Sequence, residues 1–178
     1  YKEILYPTSG ENLNNRMFTI NWLLNENFLN NRERMELSIL NHLLIGTTAS
    51  DLYKVLIDSK LGESVTGGGI SEELQQATFS IGMKGVNHEN IIKLDNLIHE
   101  TLLKLSETGF SDDAIKSSLN TFEFQLREFN TGGYPKGLSF MLECLNHWIY
   151  DHDPFKGLQF EESIQLIKDD LKLNKPIF

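Results

Sequence analysis

Two well-separated stretches of alternating side chains constrain the fold of this chain most. Residues 17–24 and residues 77–83 each place an apolar side chain at every second position. Such alternation predicts β-strands with one buried face. The apolar positions are Phe18, Ile20, Trp22 and Leu24 in the first stretch, and Ala77, Phe79, Ile81 and Met83 in the second. The Gly-rich residues 61–70 are predicted to form a segment at a sheet edge.

Much of the remaining chain has apolar residues at intervals of three or four, which predicts amphipathic helices. Ser50, Asn87 and Ser111 are the predicted N-caps, because a short polar side chain can accept a free amide of the first turn. Gly46 and Gly109 are predicted to end helices. The predicted helices are residues 32–45, 51–59, 88–108, a helix that follows Ser111 with apolar positions from Ile115 to Phe129, and residues 136–150 and 160–171.

The order of these segments predicts the fold class. The strands lie in the first half and a run of four helices follows, without strict alternation of strand and helix. Segregated elements are typical of an α+β fold, here an antiparallel sheet with helices packed on one face. We expect residues 1–178 to form a single domain. Because no Met precedes Tyr1, we also expect the chain to be a piece of a larger protein.

The charge of the chain argues against two classes of partner. The formal net charge is −9, and Lys and Arg are dispersed along the sequence. Nucleic acid requires a basic surface that displaces counterions from phosphates, and an anionic membrane surface has a similar requirement. No apolar run approaches the ~20 residues of a membrane-spanning helix. We therefore expect neither nucleic acid nor a membrane as partner.

The sequence contains no motif of a helical zinc peptidase. Such a site needs two imidazoles and a water-activating carboxylate, spaced as H-E-x-x-H or H-x-x-E-H. His99-Glu100 and His88-Glu89 begin like the first motif, but Leu103 and Ile92 occupy the place of the second imidazole. We interpret both pairs as solvated helix residues. A G-x-S-x-G nucleophile motif is also absent, so we assign no catalytic residue and no metal ligand.

His147, Asp151 and His152 form a weaker candidate. Five positions separate the two histidines, so on a continuous helix they point to opposite faces. They could converge on a metal only if the helix ends near Tyr150. A helix C-terminus with favourable contacts between imidazole and helix dipole is the simplest interpretation. An incidental metal site and an unrelated catalytic site are the alternatives.

Cys144 is the sole cysteine, so it cannot form an intramolecular disulfide. No basic residue lies beside it in the sequence to lower its pKa. We interpret it as a buried, inert thiol, with a reactive cysteine as the alternative.

Two Gly-rich segments have structural interpretations. Gly67-Gly68-Gly69 predicts a turn or bulge with positive φ, or a close approach of another backbone. A phosphate loop is disfavoured there, since no Lys-Ser/Thr follows and Glu72 and Glu73 lie nearby. Residues 130–137 are interpreted as a helix–helix connection, with a cavity-lining or domain-contact role as the alternative.

Several short segments together resemble a known family. From about Met17 to Phe160, the chain resembles the presequence proteases of mitochondria and plastids. This group is a branch of the pitrilysin family of zinc metalloendopeptidases, to which falcilysin also belongs. The matching segments are LLIGT (43–47), SDLYK (50–54), SKLGE (59–63), FSIGMKGV (79–86), LRE (126–128), GLS (137–139) and WIYD (148–151) with DPF (153–155).

This resemblance implies a supporting domain of an enzyme. Family members have two halves, each of two similar α+β domains, which enclose a chamber for peptides. The chain corresponds to the second domain of the first half, so the zinc of the parent enzyme would be held in the preceding domain. The implied partners are the other domains of the polypeptide and peptide substrates. The implied location is organellar: mitochondrion, plastid or apicoplast, or food vacuole.

One functional pair of the family has no counterpart here. Family members grip the substrate backbone with an Arg and a Tyr from the equivalent domain of the other half, near the loop that precedes the strand corresponding to residues 77–83. In this chain that loop is residues 71–76 (SEELQQ), which contain neither residue type. We therefore assign no substrate-binding residue, as the resemblance implies for a non-catalytic domain.

These observations leave three hypotheses of function. The first is a non-catalytic, chamber-forming domain of a peptide-degrading zinc metalloendopeptidase, whose acidity suits basic peptides. The second is a stand-alone scaffold or interaction module with the same fold and no protease activity. The third is an unrelated enzyme that uses His147, Asp151 and His152.

Overall fold

The computed structural model describes residues 2–7 and 16–178. The strands are β1 (Arg16–Leu23), β2 (Ser64–Ser71) and β3 (Thr78–Val86). The helices are α1 (Asn31–Ile45), α2 (Asp51–Ser59), α3 (Ile91–Thr108), α4 (Asp112–Glu128), α5 (Lys136–Trp148) and α6 (Glu161–Lys172). Two 3-10 turns lie at His88–Asn90 and Lys156–Leu158. Each predicted strand and helix is present, with ends within a few residues of the prediction.

The three strands form an antiparallel sheet with β3 in the centre, in the order β1-β3-β2. The alternating apolar residues predicted from sequence therefore share one face of the sheet. Their register pairs Phe18 with Met83, Ile20 with Ile81, and Trp22 with Phe79. The central strand approaches β1 closely at Gly82, where a Cβ atom would overlap the carbonyl oxygen of Phe18.

The edge strand β2 contains the predicted glycine bulge. Its register against β3 shifts between Thr66 and Gly69, and Gly67 and Gly69 have φ angles of 100° and 68°. The backbone N–H of Ile70 donates to Asn41 Oδ1 of α1 at 3.0 Å. The prediction of a bulge with positive φ is therefore confirmed, and a side chain from another element satisfies an amide beside it.

Helices α1, α2 and α3 pack on the apolar face of the sheet, which confirms the predicted α+β class. A core of buried side chains joins β3 to α1, α2 and α3. Its fully buried members in the helices include Leu52, Leu56, Leu94 and Ile98. This core is where the two sequence periodicities meet, since alternating strand residues face the helical stripes.

Helix α1 also contributes to a second core on its other side. Met35, Ile39 and Leu43 of α1 contact apolar residues of α4 and α6. The buried partners from those helices are Leu119, Ile164 and Ile167. Helix α1 therefore lies between the sheet-side core and the α4–α6 layer.

The predicted helix caps have mixed outcomes. Ser111 caps α4 as predicted, since its Oγ accepts from Ala114 N at 3.3 Å. Ser50 precedes α2, but its hydroxyl donates to the carbonyl of His42 at 3.0 Å and caps no amide of α2. Asn87 precedes a 3-10 turn and also makes no side-chain cap. The failure at Ser50 reflects a competing partner that sequence spacing does not reveal.

Two predictions concern the chain as a whole. The prediction of one domain spanning residues 1–178 begins at Tyr1, which lies outside the described residues, and it stays a prediction. In the part of the chain that the structure describes, no helix has both the length and the apolar character needed to cross a membrane.

Candidate functional site

The two histidines singled out in the sequence lie close together at the end of α5. The helix ends at Trp148, and the chain turns back so that His152 N donates to the His147 carbonyl at 3.2 Å. Both imidazoles contact the ring of Phe28, with centroid distances of 5.2 Å for His147 and 3.8 Å for His152. Asp151 lies in the turn with φ of 61° and is exposed.

The imidazole of His147 is buried and unpaired. Its side chain is 1% exposed, and neither Nδ1 nor Nε2 has a hydrogen-bond partner among the protein atoms. Burial is the main cause that lowers its pKa below the ordinary value of 6.5, and nearby Arg34 adds to the effect. The histidine is therefore held in its neutral form, because an unpaired buried charge costs more than a buried neutral ring.

This burial corrects the interpretation of His147 as a helix-end histidine that contacts the dipole favourably. The helix does end near the predicted position, and His147 lies in its last turn. A favourable dipole contact acts on the protonated imidazole and raises its pKa, whereas burial here lowers it. The packing of the turn at residues 149–158 over His147 could not be read from the spacing of the two histidines.

Two carboxylates line a small cavity with His147. The cavity has a volume of about 130 Å³ and is lined by Arg34, Ser38, Glu72, Glu143 and His147, among others. Ser38 Oγ donates to Glu72 Oε1 at 3.0 Å, and Arg34 Nη1 donates to the backbone carbonyl of Glu72 at 3.3 Å. The Arg34 guanidinium also lies over the Phe28 ring, 4.6 Å from its centroid.

Both carboxylates are shifted toward the neutral form. Burial is the main cause that raises the pKa of Glu72, and the Ser38 hydrogen bond opposes it. Burial also raises the pKa of Glu143, with Arg34 acting in the opposite direction. We call this cavity, with the side chains that line it, the His147 cavity. Its carboxyl groups, on Glu72 and Glu143, hold their protons more strongly than usual, whereas the imidazole of His147 holds its proton less strongly.

The donor groups of this cluster do not form a zinc site. Among residues 2–7 and 16–178, no three His, Cys, Asp or Glu side chains are arranged to hold a metal ion. A catalytic zinc needs three protein ligands with an open position for water. The described residues therefore do not fit zinc, and we derive no catalytic step from it in this chain.

The remaining sequence candidates lie elsewhere. His88 and His99 are exposed, as predicted for solvated helix residues. Cys144 is half-buried rather than buried, because α5 buries only its His147 side, and the inertness of its thiol stays a prediction. The helix–helix connection interpreted from residues 130–137 is confirmed over residues 129–135, and residues 136 and 137 already belong to α5.

Sequence reasoning missed Arg34, Glu72 and Glu143 as parts of one cluster. They come from α1, the β2–β3 loop and α5, and nothing in their spacing links them. Glu143 sits four residues before His147, a spacing that places both on one side of a helix. That pair was the available signal for a shared polar surface.

The opposite side of α5 is apolar and exposed. His147 is the single buried residue of this thirteen-residue helix. The outward apolar residues are Met141, Leu142, Leu145, Trp148 and, just past the helix end, Ile149, with exposures of 40–67%. We call these five residues the α5 face. A contiguous apolar surface of this kind is typical of an interaction site.

Comparison with known families identifies the class of protein. Residues 6–122 match the family model described as the Peptidase M16 inactive domain. This span covers more than half of the chain. The chain therefore belongs to the family of Peptidase M16 inactive domains, in agreement with the resemblance noted in its sequence.

The matching relatives are much longer proteins. The chain is 47% identical over 165 residues to presequence protease 1, chloroplastic/mitochondrial, of Arabidopsis thaliana, covering 92% of the chain and 15% of that protein. It is 30% identical to the protein HypA of Clostridium perfringens, covering 93% of the chain and 17% of that protein. The mitochondrial presequence protease of Xenopus laevis is 29% identical, over 89% of the chain and 15% of the relative. The chain thus spans about a sixth of the length of these relatives.

Solved structures agree on the fold. The inactive peptidase domain of a candidate zinc protease from Bordetella parapertussis superposes with a TM-score of 0.67, at 15% identity, over 90% of this chain and 80% of that one. A candidate zinc protease from Bordetella pertussis gives a TM-score of 0.61 at 16% identity, over 83% of this chain and 77% of that one. At this identity the likeness concerns the fold alone.

Proposed function

We propose that this chain is a non-catalytic, chamber-forming domain of a longer zinc metalloendopeptidase that degrades peptides. The observation that carries the proposal is the match of residues 6–122 to an inactive peptidase domain, joined to 47% identity with a presequence protease. The catalytic zinc would be held by another domain of the same polypeptide. The parent enzyme would act in an organelle, since the Arabidopsis relative is described as chloroplastic/mitochondrial.

The side chains of the described residues favour a non-catalytic role for this domain. The His147 cavity contains an imidazole and two carboxyl groups, but among the described residues no three such groups are arranged to hold a metal ion. The sequence also contains no H-E-x-x-H, H-x-x-E-H or G-x-S-x-G motif. A domain of this kind contributes walls and contacts to the enzyme, while the reacting groups come from elsewhere in the polypeptide.

The net charge of −9 supports a second part of the proposal, that the domain attracts basic peptides into the enzyme. A negative chamber wall raises the local concentration of basic peptides through its electrostatic potential. Cleavage of a basic peptide by the parent enzyme should then slow as ionic strength rises, because salt screens exposed charges. Equal salt dependence for a basic peptide and a matched neutral peptide would contradict this part of the proposal.

A scaffold without protease activity is the second candidate. It is favoured by the same lack of catalytic groups, and it differs in requiring a partner other than a catalytic half. The two candidates are separated by the behaviour of the longer polypeptide, because a scaffold neither binds stoichiometric zinc nor cleaves peptides.

The test compares this chain with the longer polypeptide that contains it. Zinc content is measured by elemental analysis, and peptidase activity is measured with and without a chelator. We expect zinc and chelator-sensitive cleavage in the longer polypeptide only. Stoichiometric zinc and cleavage by this chain alone would overturn the proposal, and His147→Ala and His152→Ala would then be the first variants to assay.

A further inference from the structure

Helix α5 is inverted relative to an ordinary amphipathic helix. At 100° per residue, the α5 face occupies an arc of about 120°. His147 lies on the opposite side of the helix, where it is buried with the partly buried Glu143. The side of α5 that carries Glu143, His147 and Phe140, which stacks on Phe129, therefore points toward the protein. The more apolar side points away from it, the reverse of the usual burial pattern.

The rest of the described chain leaves the α5 face uncovered. The main contact of α5 is with the 3-10 turn Lys156–Leu158, which packs on the His147 side. All five side chains of the α5 face keep at least 40% of their surface exposed.

The spacing within this surface is that of a helix–helix seam. Leu138, Leu142, Leu145 and Ile149 follow one another at intervals of four, three and four residues. This is the a/d spacing of a heptad repeat, in which each side chain inserts between residues of a facing helix. Met141 and Trp148 flank the seam at positions seven residues apart. The pattern favours a helical partner over an extended peptide, which would read alternate side chains.

Two observations indicate whether the facing helix belongs to a second copy of the chain or to another domain of the same polypeptide. A second copy of the chain would bring together two molecules of net charge −9, which repel each other. In contrast, the chain spans 15% of its Arabidopsis relative, so most of such a polypeptide is available in cis. The alignment covers 92% of the chain, and any continuous stretch of that length includes α5, although the inactive-domain match ends at residue 122.

We propose that the α5 face docks against an amphipathic helix of another domain of the same longer polypeptide. This inference rests on the proposed function in one respect, that the chain is part of a longer enzyme. The partner is a helix with its own apolar seam, and docking buries Leu142, Leu145 and Ile149 between the two helices. The polar cluster beneath α5 then lies between the docked helix and the α1 layer.

The test measures hydrogen exchange of the α5 amides in the longer polypeptide. The face variant is Leu145→Glu with Trp148→Glu, which places two charges in the seam. The matched control is Ile92→Glu with Leu103→Glu, two exposed apolar residues of α3 that are surrounded by polar neighbours. We expect α5 exchange at least about tenfold faster in the face variant and unchanged in the control, because undocking exposes the helix to local opening. Unchanged exchange of the β3 amides verifies that the variant is folded.

Each outcome bears on the docking proposal separately from the proposed function. Equal α5 exchange in the wild-type protein and the face variant overturns docking, even where zinc and peptidase activity are present. Protection that disappears on dilution, together with a dimer in light scattering, identifies a second copy as occupant and also overturns it. Concentration-independent protection that the face variant abolishes supports docking in cis, and it does so even in a polypeptide that lacks zinc.

Discussion

Helices α3 and α5 are both amphipathic, yet they direct their apolar residues in opposite directions. Helix α3 buries Leu94 and Ile98 completely against the sheet. Helix α5 buries His147 and leaves Leu145 and Trp148 exposed by 40% and 67%. Helix α3 completes a core within this chain, whereas α5 exposes its apolar side to solvent.

The difference shows what amphipathicity does and does not determine. A stripe of apolar residues determines which side of a helix avoids water, but the covering partner can belong to another part of the polypeptide. The apolar sheet face lies within reach of α3, so burial is satisfied locally. The side of α5 that carries Glu143 and His147 instead borders a cavity lined by the polar residues Arg34 and Glu72.

The largest effect is expected for Ile81→Ala in the centre of the sheet-side core. Ile81 is fully buried, and an Ile→Ala change in a core costs about 2–5 kcal/mol of unfolding free energy through lost contacts and the cavity left behind. Urea denaturation measures the loss. A loss below about 1 kcal/mol would mean that this core is loosely packed and that the contrast with α5 is false.

The next largest loss of stability is expected for Gly82→Ala, where the backbones of β3 and β1 are in close contact. Gly82→Ala adds a Cβ that overlaps the Phe18 carbonyl oxygen, so β1 and β3 must separate. Such overpacking costs about 1–3 kcal/mol. The matched control is Gly133→Ala in the α4–α5 connection, where nothing lies within 4 Å of the added atom. Similar denaturation midpoints for the two variants would contradict the close approach at Gly82.

A pH-dependent contribution to stability is expected from His147. Because burial lowers its pKa below 6.5, the unfolded chain takes up a proton before the folded chain does. The stability from this group is complete above pH ~6.5 and falls as the pH drops toward the lower folded-state pKa. His147→Asn should reduce this loss between pH 7 and pH 5, while His88→Asn, at an exposed position, should leave it unchanged. If the free energy of unfolding fell equally between pH 7 and pH 5 for wild type and His147→Asn, this result would contradict a lowered pKa of His147.

Glu143 is expected to change the pH dependence of stability in the direction opposite to His147. Burial raises its pKa above the ordinary 4.5, so the folded chain keeps the proton to higher pH than the unfolded chain. Its contribution is present below pH ~4.5 and is lost as the pH rises through the folded-state pKa. Glu143→Gln should therefore gain stability relative to wild type on going from pH 4.5 to pH 7, as measured by thermal unfolding. Glu128→Gln, on the exposed end of α4, is the control and should show no such gain.

The smallest effect is expected for Leu145→Ala on the α5 face. In this chain the side chain is partly exposed already, so the cost should be within about 0.5 kcal/mol, as for a surface substitution. In the longer polypeptide the same change should cost more, because docking removes the side chain from water. Equal costs in both settings would argue that α5 stays uncovered, whereas a large cost in this chain alone would remove the contrast with α3.

Local features of this fold were predictable from sequence because they depend on neighbouring residues. Alternation determined the faces of β1 and β3, and the spacing of apolar residues determined each helix within a few positions. The cap at Ser111 and the bulge at Gly67 follow from the short-range chemistry of hydroxyl groups and glycine. The segments that resemble the presequence proteases also led to the family that the comparisons identify.

Features that depend on distant partners were not predictable. The Ser50 hydroxyl bonds to the His42 carbonyl in the preceding helix rather than to an amide of α2. The cluster around His147 combines residues from α1, the β2–β3 loop and α5, whose proximity depends on how the layers pack. Spacing along the chain carries no information about such contacts.

The sequence by itself therefore determined the elements, the apolar stripes and the family of this protein. Only the tertiary structure decided that the stripe of α3 faces inward and that of α5 outward. The physical reason is that an apolar stripe leaves water only where another apolar surface lies opposite it. The partner of α3 is the apolar sheet of this chain, whereas α5 meets a polar cluster and keeps Leu145 and Trp148 at the surface.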